Sequence, residues 1–95
     1  MQEADVFRRA NAALRHGQTA GTMTNVRALA DNSLLWTTVM ALMHDPQNGL
    51  PDKLRGLIVS AGLAVQREMQ NPAPDFDFLM TVNEDVAAGL THTGH

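Results

Sequence analysis

The segment TNVRALADNSLLWTTVMALMH, residues 24–44, decides how the rest of the chain has to be read. Val26, Leu29, Ser33, Trp36, Met40 and Met43 recur at helical steps, and Ala28, Leu35, Val39 and Leu42 form a second stripe beside them. At about 100° per residue the two stripes together cover roughly half the helix surface. An arc that wide needs neighbours on two sides, so this helix is expected at the centre of an all-helical bundle. Thr22 or Thr24 is placed to cap its first amides, and Asp45-Pro46 ends it.

Working outward, the spacing predicts three more helices. The first runs from about residue 2 to residue 16 and turns Phe7, Ala10 and Leu14 to one side, with Val6 and Ala13 at the edge. Gly17 is placed as a helix-ending glycine, and residues 17–22 read as a loop. Turn chemistry in Asp45-Pro46-Gln47-Asn48-Gly49 leads to Leu50-Pro51, which opens a helix over about residues 51–71. Its main stripe is Leu54, Leu57, Ile58, Ala61, Val65 and Met69. After Asn71-Pro72-Ala73-Pro74, Asp75 caps a fourth helix over about residues 75–90, with Phe76, Leu79, Met80, Val86, Ala87 and Leu90 inward and Asn83 among them. The polar tail, residues 91–95, is expected to fray. Strict alternation is absent. The expected fold is an all-α, single-domain bundle of about four helices, antiparallel because the connections are short.

Composition narrows the function classes. The chain has 95 residues, 44% of them hydrophobic, with no Cys and six Met. Without Cys there is no disulfide scaffold, no thiolate zinc or iron–sulfur site and no thiol nucleophile. No apolar run reaches the roughly 20 residues of a membrane span, and residues 1–20 carry Glu3, Asp5, Arg8, Arg9 and Arg15 without a signal-peptide core. The expectation is a cytoplasmic protein with no membrane role. A net charge of −3 argues against nucleic-acid binding, which needs clustered Lys and Arg. The charge is uneven: residues 1–30 are net +2 and residues 71–95 net −4, so the first and last helices have complementary edges.

No set of residues converges on a reaction. His16, His44, His92 and His95 are scattered, and His92 with His95 lacks a third metal ligand at helical spacing. Phosphate-binding and nucleophile-elbow motifs are absent, and Ser60 has no His at a fixed helical spacing. Asp75 and Asp77 straddle a helix start, where capping explains them better than acid–base work. Arg8 and Arg15 share a side of the first helix and read as a solvated face. The expectation is therefore no enzyme, no cofactor and no metal. What stands out is surplus apolar surface. Val59 and Leu63 lie behind the main stripe of the third helix, and Leu35, Val39 and Leu42 lie beyond that of the second. Either the second and third helices form a central pair covered by the other two, or Leu35, Val39, Val59 and Leu63 bind a partner helix or form a homodimer seam. The six Met suit core filling and adaptable apolar contacts alike.

From about Ala30 onward the chain resembles the FlaF family of alphaproteobacterial flagellar biosynthesis regulators. The carrying residues are Asn32-Ser33-Leu34-Leu35-Trp36, then Asn48-Gly49-Leu50-Pro51-Asp52-Lys53-Leu54-Arg55, then Ile58-Val59-Ser60 with Val65 and Arg67, and finally Val82-Asn83 and Gly89-Leu90. They span about 60 residues and are specific in order and spacing rather than singly. Family members carry a further N-terminal stretch, so the resemblance implies a form shortened there. It also implies a flagellin secretion chaperone that helps regulate flagellin synthesis, holds the terminal amphipathic helices of flagellin, and works alongside the translation regulator FlbT. A helical adaptor or homodimerisation module is the alternative, and a direct mRNA-binding regulator fits the charge less well. Within the motif, Pro51 starts the third helix, Trp36 anchors the second to the third, and a buried Asn83 requires a partner, expected to be a backbone carbonyl.

Overall fold

A computed structural model describes residues 2–93 of the chain. Four helices follow one another: α1 (Gln2–Ala20), α2 (Thr22–Met43), α3 (Asp52–Met69) and α4 (Phe76–Thr93). The described residues hold no strand. α1 lies between α2 and α4, and α3 closes the ring on the far side, held less closely by α2 and least closely by α4. The central helix by packing is therefore α1, and not the pair formed by α2 and α3. Neighbours are antiparallel: Gly17 meets Ala28 while Phe7 meets Trp36, and Arg8 pairs with Glu84 while Gln18 reaches Asp77.

Two glycines set the α1–α2 hairpin, with roles that differ from the sequence expectation. α1 does not stop at Gly17; it continues to Ala20, so residues 18–20 are helix rather than loop. Gly17 is buried at the helix crossing, where an added Cβ would stand 3.2 Å from the Ala28 Cβ and 3.3 Å from the Asn25 Cα. The chain reverses at Gly21 alone, whose φ of 109° lies in the region glycine tolerates. This backbone caps α2 directly: no side chain does so, Thr22 and Thr24 included, and Asn25 N–H donates to the Gly21 carbonyl at 3.0 Å. A Gly17→Val substitution should cost about 1–3 kcal/mol in urea unfolding, because Ala28 and the α2 backbone leave its methyl groups no room. An unchanged midpoint would show that the two helices do not approach so closely.

At the other end, Asp75 caps α4 as its position predicts, accepting from Phe78 N–H at 3.1 Å. Glu68 closes the connection by accepting from Asp75 N–H and from the Asn71 amide, both at 2.9 Å. Pro51 flanks α3 at the cap position, one residue outside the helix. α4 does not end near Leu90; it runs to Thr93, with Thr91 bonded back to the Ala87 carbonyl at 2.9 Å. The His92 side chain and His95 lie outside the described residues.

The core of the bundle is organised by Trp36, which is fully buried and touches every helix. It meets Phe7 of α1 edge to face, with ring centroids 5.5 Å apart. Gly62 of α3 makes room for it and for Met40, since a Cβ there would overlap the Met40 sulfur and stand 3.1 Å from the Trp36 ring. Its indole N–H donates to Asn83 Oδ1 of α4 at 2.7 Å. Trp has a donor and no acceptor, so the Asn83 oxygen must face it and the Asn83 amide must face the other way. There Nδ2 donates to Asn11 Oδ1 at 3.0 Å and Asn32 Oδ1 at 2.8 Å. Asn11 passes the sense on by donating to the Met80 carbonyl at 2.8 Å, while Asn32 Nδ2 is left without a partner. The partners of Asn83 are thus three side chains from α1 and α2, and not the backbone carbonyl expected from sequence.

Candidate functional site: an apolar groove at one end of the bundle

The polar network spans the middle of the bundle, and the end where α2 runs into α3 is left open. A groove of about 620 Å³ lies there, within the roughly 300–1,000 Å³ of preformed binding sites. Leu35, Val39, Leu42 and Met43 of α2 form one wall, and Val6 and Phe7 of α1 another. Ile58 of α3 and Leu90 of α4 lie deeper, both buried, and Leu50 closes the mouth from the connecting loop.

The loop keeps this mouth in shape through side-chain capping. Asp45 Oδ1 accepts from Gln47 N–H at 2.8 Å, and the Asn48 amide donates to the Leu42 carbonyl at 2.8 Å, satisfying an orphan acceptor at the end of α2. Asn48 Oδ1 in turn accepts from Leu50 N–H at 2.9 Å. One residue therefore ends α2 and sets the position of the leucine on the rim. On α3, Arg55 pairs with Asp52 in the first turn.

The four sequence candidates separate in space. Leu35 and Val39 line the groove, Val39 buried and Leu35 half-buried. Val59 is half-buried and packs against the core, and Leu63 is 53% exposed; neither borders the groove. Leu42, which belongs to the same apolar stripe as Leu35, is 52% exposed on the rim. The site residues missed in the sequence include Val6, Leu50 and Leu90, which come from three other elements and share no periodicity with α2. A smaller recess of about 280 Å³ follows the loose α3–α4 seam and is bordered by Leu57, Val82 and Asp85.

The groove is lined mostly by hydrocarbon, so what it offers a ligand is burial of apolar surface. Among the described residues, no group of three or more His, Cys, Asp or Glu could hold a metal ion. No described helix is long and apolar enough to cross a membrane. Arg8 and Glu84 join α1 to α4 at 3.5 Å, but both are exposed and contribute about 0–1 kcal/mol.

The family model for the flagellar protein FlaF matches residues 1–90. The chain belongs to the FlaF family. No curated protein matches it, and no solved structure does. The FlaF match includes α1, whereas the resemblance visible in the sequence starts only near Ala30. The structure accounts for that extension, since α1 supplies Phe7 and Asn11 to the Trp36 network and Val6 to the groove. The residues that carry the FlaF resemblance divide by place. Asn32, Trp36 and Asn83 form the buried network, and Asn48, Leu50, Ile58 and Leu90 build the groove.

Proposed function

We infer that this FlaF-family chain is a non-enzymatic flagellar protein that binds flagellin, receiving one of its terminal amphipathic helices in the apolar groove. Holding such a helix keeps it from assembling before secretion, the work of a secretion chaperone, and couples free flagellin to the control of its synthesis. The observation that carries this reading is the groove itself: an open apolar concavity about 620 Å³ in volume, walled by all four helices, in a member of a flagellar family. An amphipathic helix presents apolar residues at i, i+3 or i+4 and i+7, the pattern that such a concavity accepts. Each fully buried Leu or Val side chain would contribute roughly 1.5–3 kcal/mol.

Co-purification with flagellin tests it, with Leu42→Glu on the rim compared with Leu63→Glu on the outside of α3. Both residues are half-exposed, so both variants should fold. Leu42→Glu should weaken capture by about 10- to 100-fold, and Leu63→Glu should leave it within about twofold. Loss with Leu63→Glu alone would move the binding face to α3. Equal binding by both would remove the groove from the function.

A further inference from the structure

The outer face of α2 carries an apolar line that neither the core nor the groove uses. Met23, Val26, Ala30, Leu34, Thr37 and Ala41 follow at steps of three or four residues and so share one side of the helix. At about 100° per residue that side lies roughly opposite the buried Ala28, Asn32, Val39 and Met43, with the buried Trp36 and Met40 nearer its flank. All six are exposed, Met23 at 84%, Leu34 at 67% and Val26 at 58%. Arg27 is the one charged residue within about 60° of the line's centre. A helix apolar on two opposite sides is ordinarily covered on both.

The order of sizes along the line indicates what covers it. We propose that a second copy of this chain packs α2 against α2, antiparallel, about a two-fold axis at the level of Asn32. In that register Leu34 meets the partner's Ala30, Met23 meets the partner's Ala41, and Val26 lies beside the partner's Thr37. The two-fold axis repeats each pair in reverse, so large meets small at Leu34 and at Met23, while Val26 lies beside a side chain of its own size. Arg27 falls at the edge, beside the partner's Thr38, where it keeps its water. A parallel pair would instead set Leu34 against the partner's Leu34 and leave a gap where Ala30 meets the partner's Ala30. Residue sizes therefore select the direction as well as the register. Two 22-residue helices in contact along about 33 Å bury on the order of 1,000 Å². That area lies in the range of weak, transient interfaces, so the dimer is expected to be reversible. Leu35 and Leu42 lie about 115–140° round α2 from the line's centre, so the groove stays open in the dimer and the seam stands whether or not flagellin is the client.

Sedimentation equilibrium of the full chain from about 1 to 300 µM tests the seam, with circular dichroism to confirm that each variant is folded. The expected result is a concentration-dependent monomer–dimer equilibrium that Leu34→Glu weakens by at least about 100-fold. Ala30→Leu and Leu34→Ala should each weaken it about tenfold, one by overpacking and one by leaving a gap. The double variant Ala30→Leu/Leu34→Ala exchanges large for small across the axis and should restore association to within about threefold of the wild type. A monomer throughout the range would overturn the proposal. So would a dimer insensitive to Leu34→Glu, or a double variant no tighter than the weaker single one.

Discussion

Trp36→Ala should unfold much of this protein at 37 °C. The indole is fully buried and contacts all four helices, and truncating so large a core side chain costs about 3–5 kcal/mol. Asn83 Oδ1, which accepts the indole N–H at 2.7 Å, would also be left buried without a donor, adding about 1–3 kcal/mol. Small domains hold only about 5–15 kcal/mol in total. Trp36 is the only tryptophan, so unfolding has to be followed by circular dichroism at the helical band rather than by fluorescence. Trp36→Phe should lie between, because it keeps ring contact with Phe7 but strands the same Asn83 oxygen. A loss below about 1 kcal/mol for Trp36→Ala would contradict the central place given to this residue.

Asn83→Asp, which is nearly isosteric, should be destabilising by about 3–5 kcal/mol at pH 7 and much less so near pH 4. In the wild type the Asn83 amide donates to two oxygens, those of Asn11 and Asn32, and a carboxylate has nothing to donate. Turning the Asn32 amide over would bring its unpartnered Nδ2 to the new group, but one added donor does not offset a desolvated charge. Burial and the facing Asn11 oxygen would hold the introduced carboxyl above the ordinary carboxylate range in the folded state. A raised folded value means that the folded state binds the proton more tightly than the unfolded chain does. The deficit relative to wild type should therefore be smallest below about pH 4, the unfolded value, and grow as pH rises through the folded value. Urea midpoints for wild type, Asn83→Asp and Asn83→Ala at pH 4 and pH 7 check this, with Asn83→Ala as the variant without a titrating group. A deficit for Asn83→Asp that is the same at both pH values would show that the site is not desolvated as described.

Four helices, their breaks at Asp45-Pro46 and Pro72-Ala73-Pro74, and the cap at Asp75 follow from local rules, and the sequence alone determined them. Local rules suffice there because proline removes a donor, and an aspartate that precedes a helix bonds its first amides, whatever surrounds them. The family was legible too, from Asn32 to Leu90, although α1 lacked the signal that its contacts supply. The inward face of α2 was read less well. The apolar pattern points to Val26 and Ser33 as inward, whereas both are exposed and Asn32 is buried. A helix apolar over half its circumference, with a further apolar line outside that half, has no single preferred side by periodicity. Its orientation was decided by the Trp36–Asn83–Asn32 bonds, which join residues about 50 positions apart. The same applies to Gly17, which has the local signature of a helix end and is instead the point where α1 and α2 touch. The groove goes one step further. Leu35 and Val39 could be listed from the surplus on α2, but Val6, Leu50 and Leu90 become neighbours only when both ends of the chain come to the α2–α3 loop. Periodicity shows which residues share a face of one helix. Which faces meet, and which are left to meet another molecule, depends on long-range polar partners and close contacts that exist only in the folded chain.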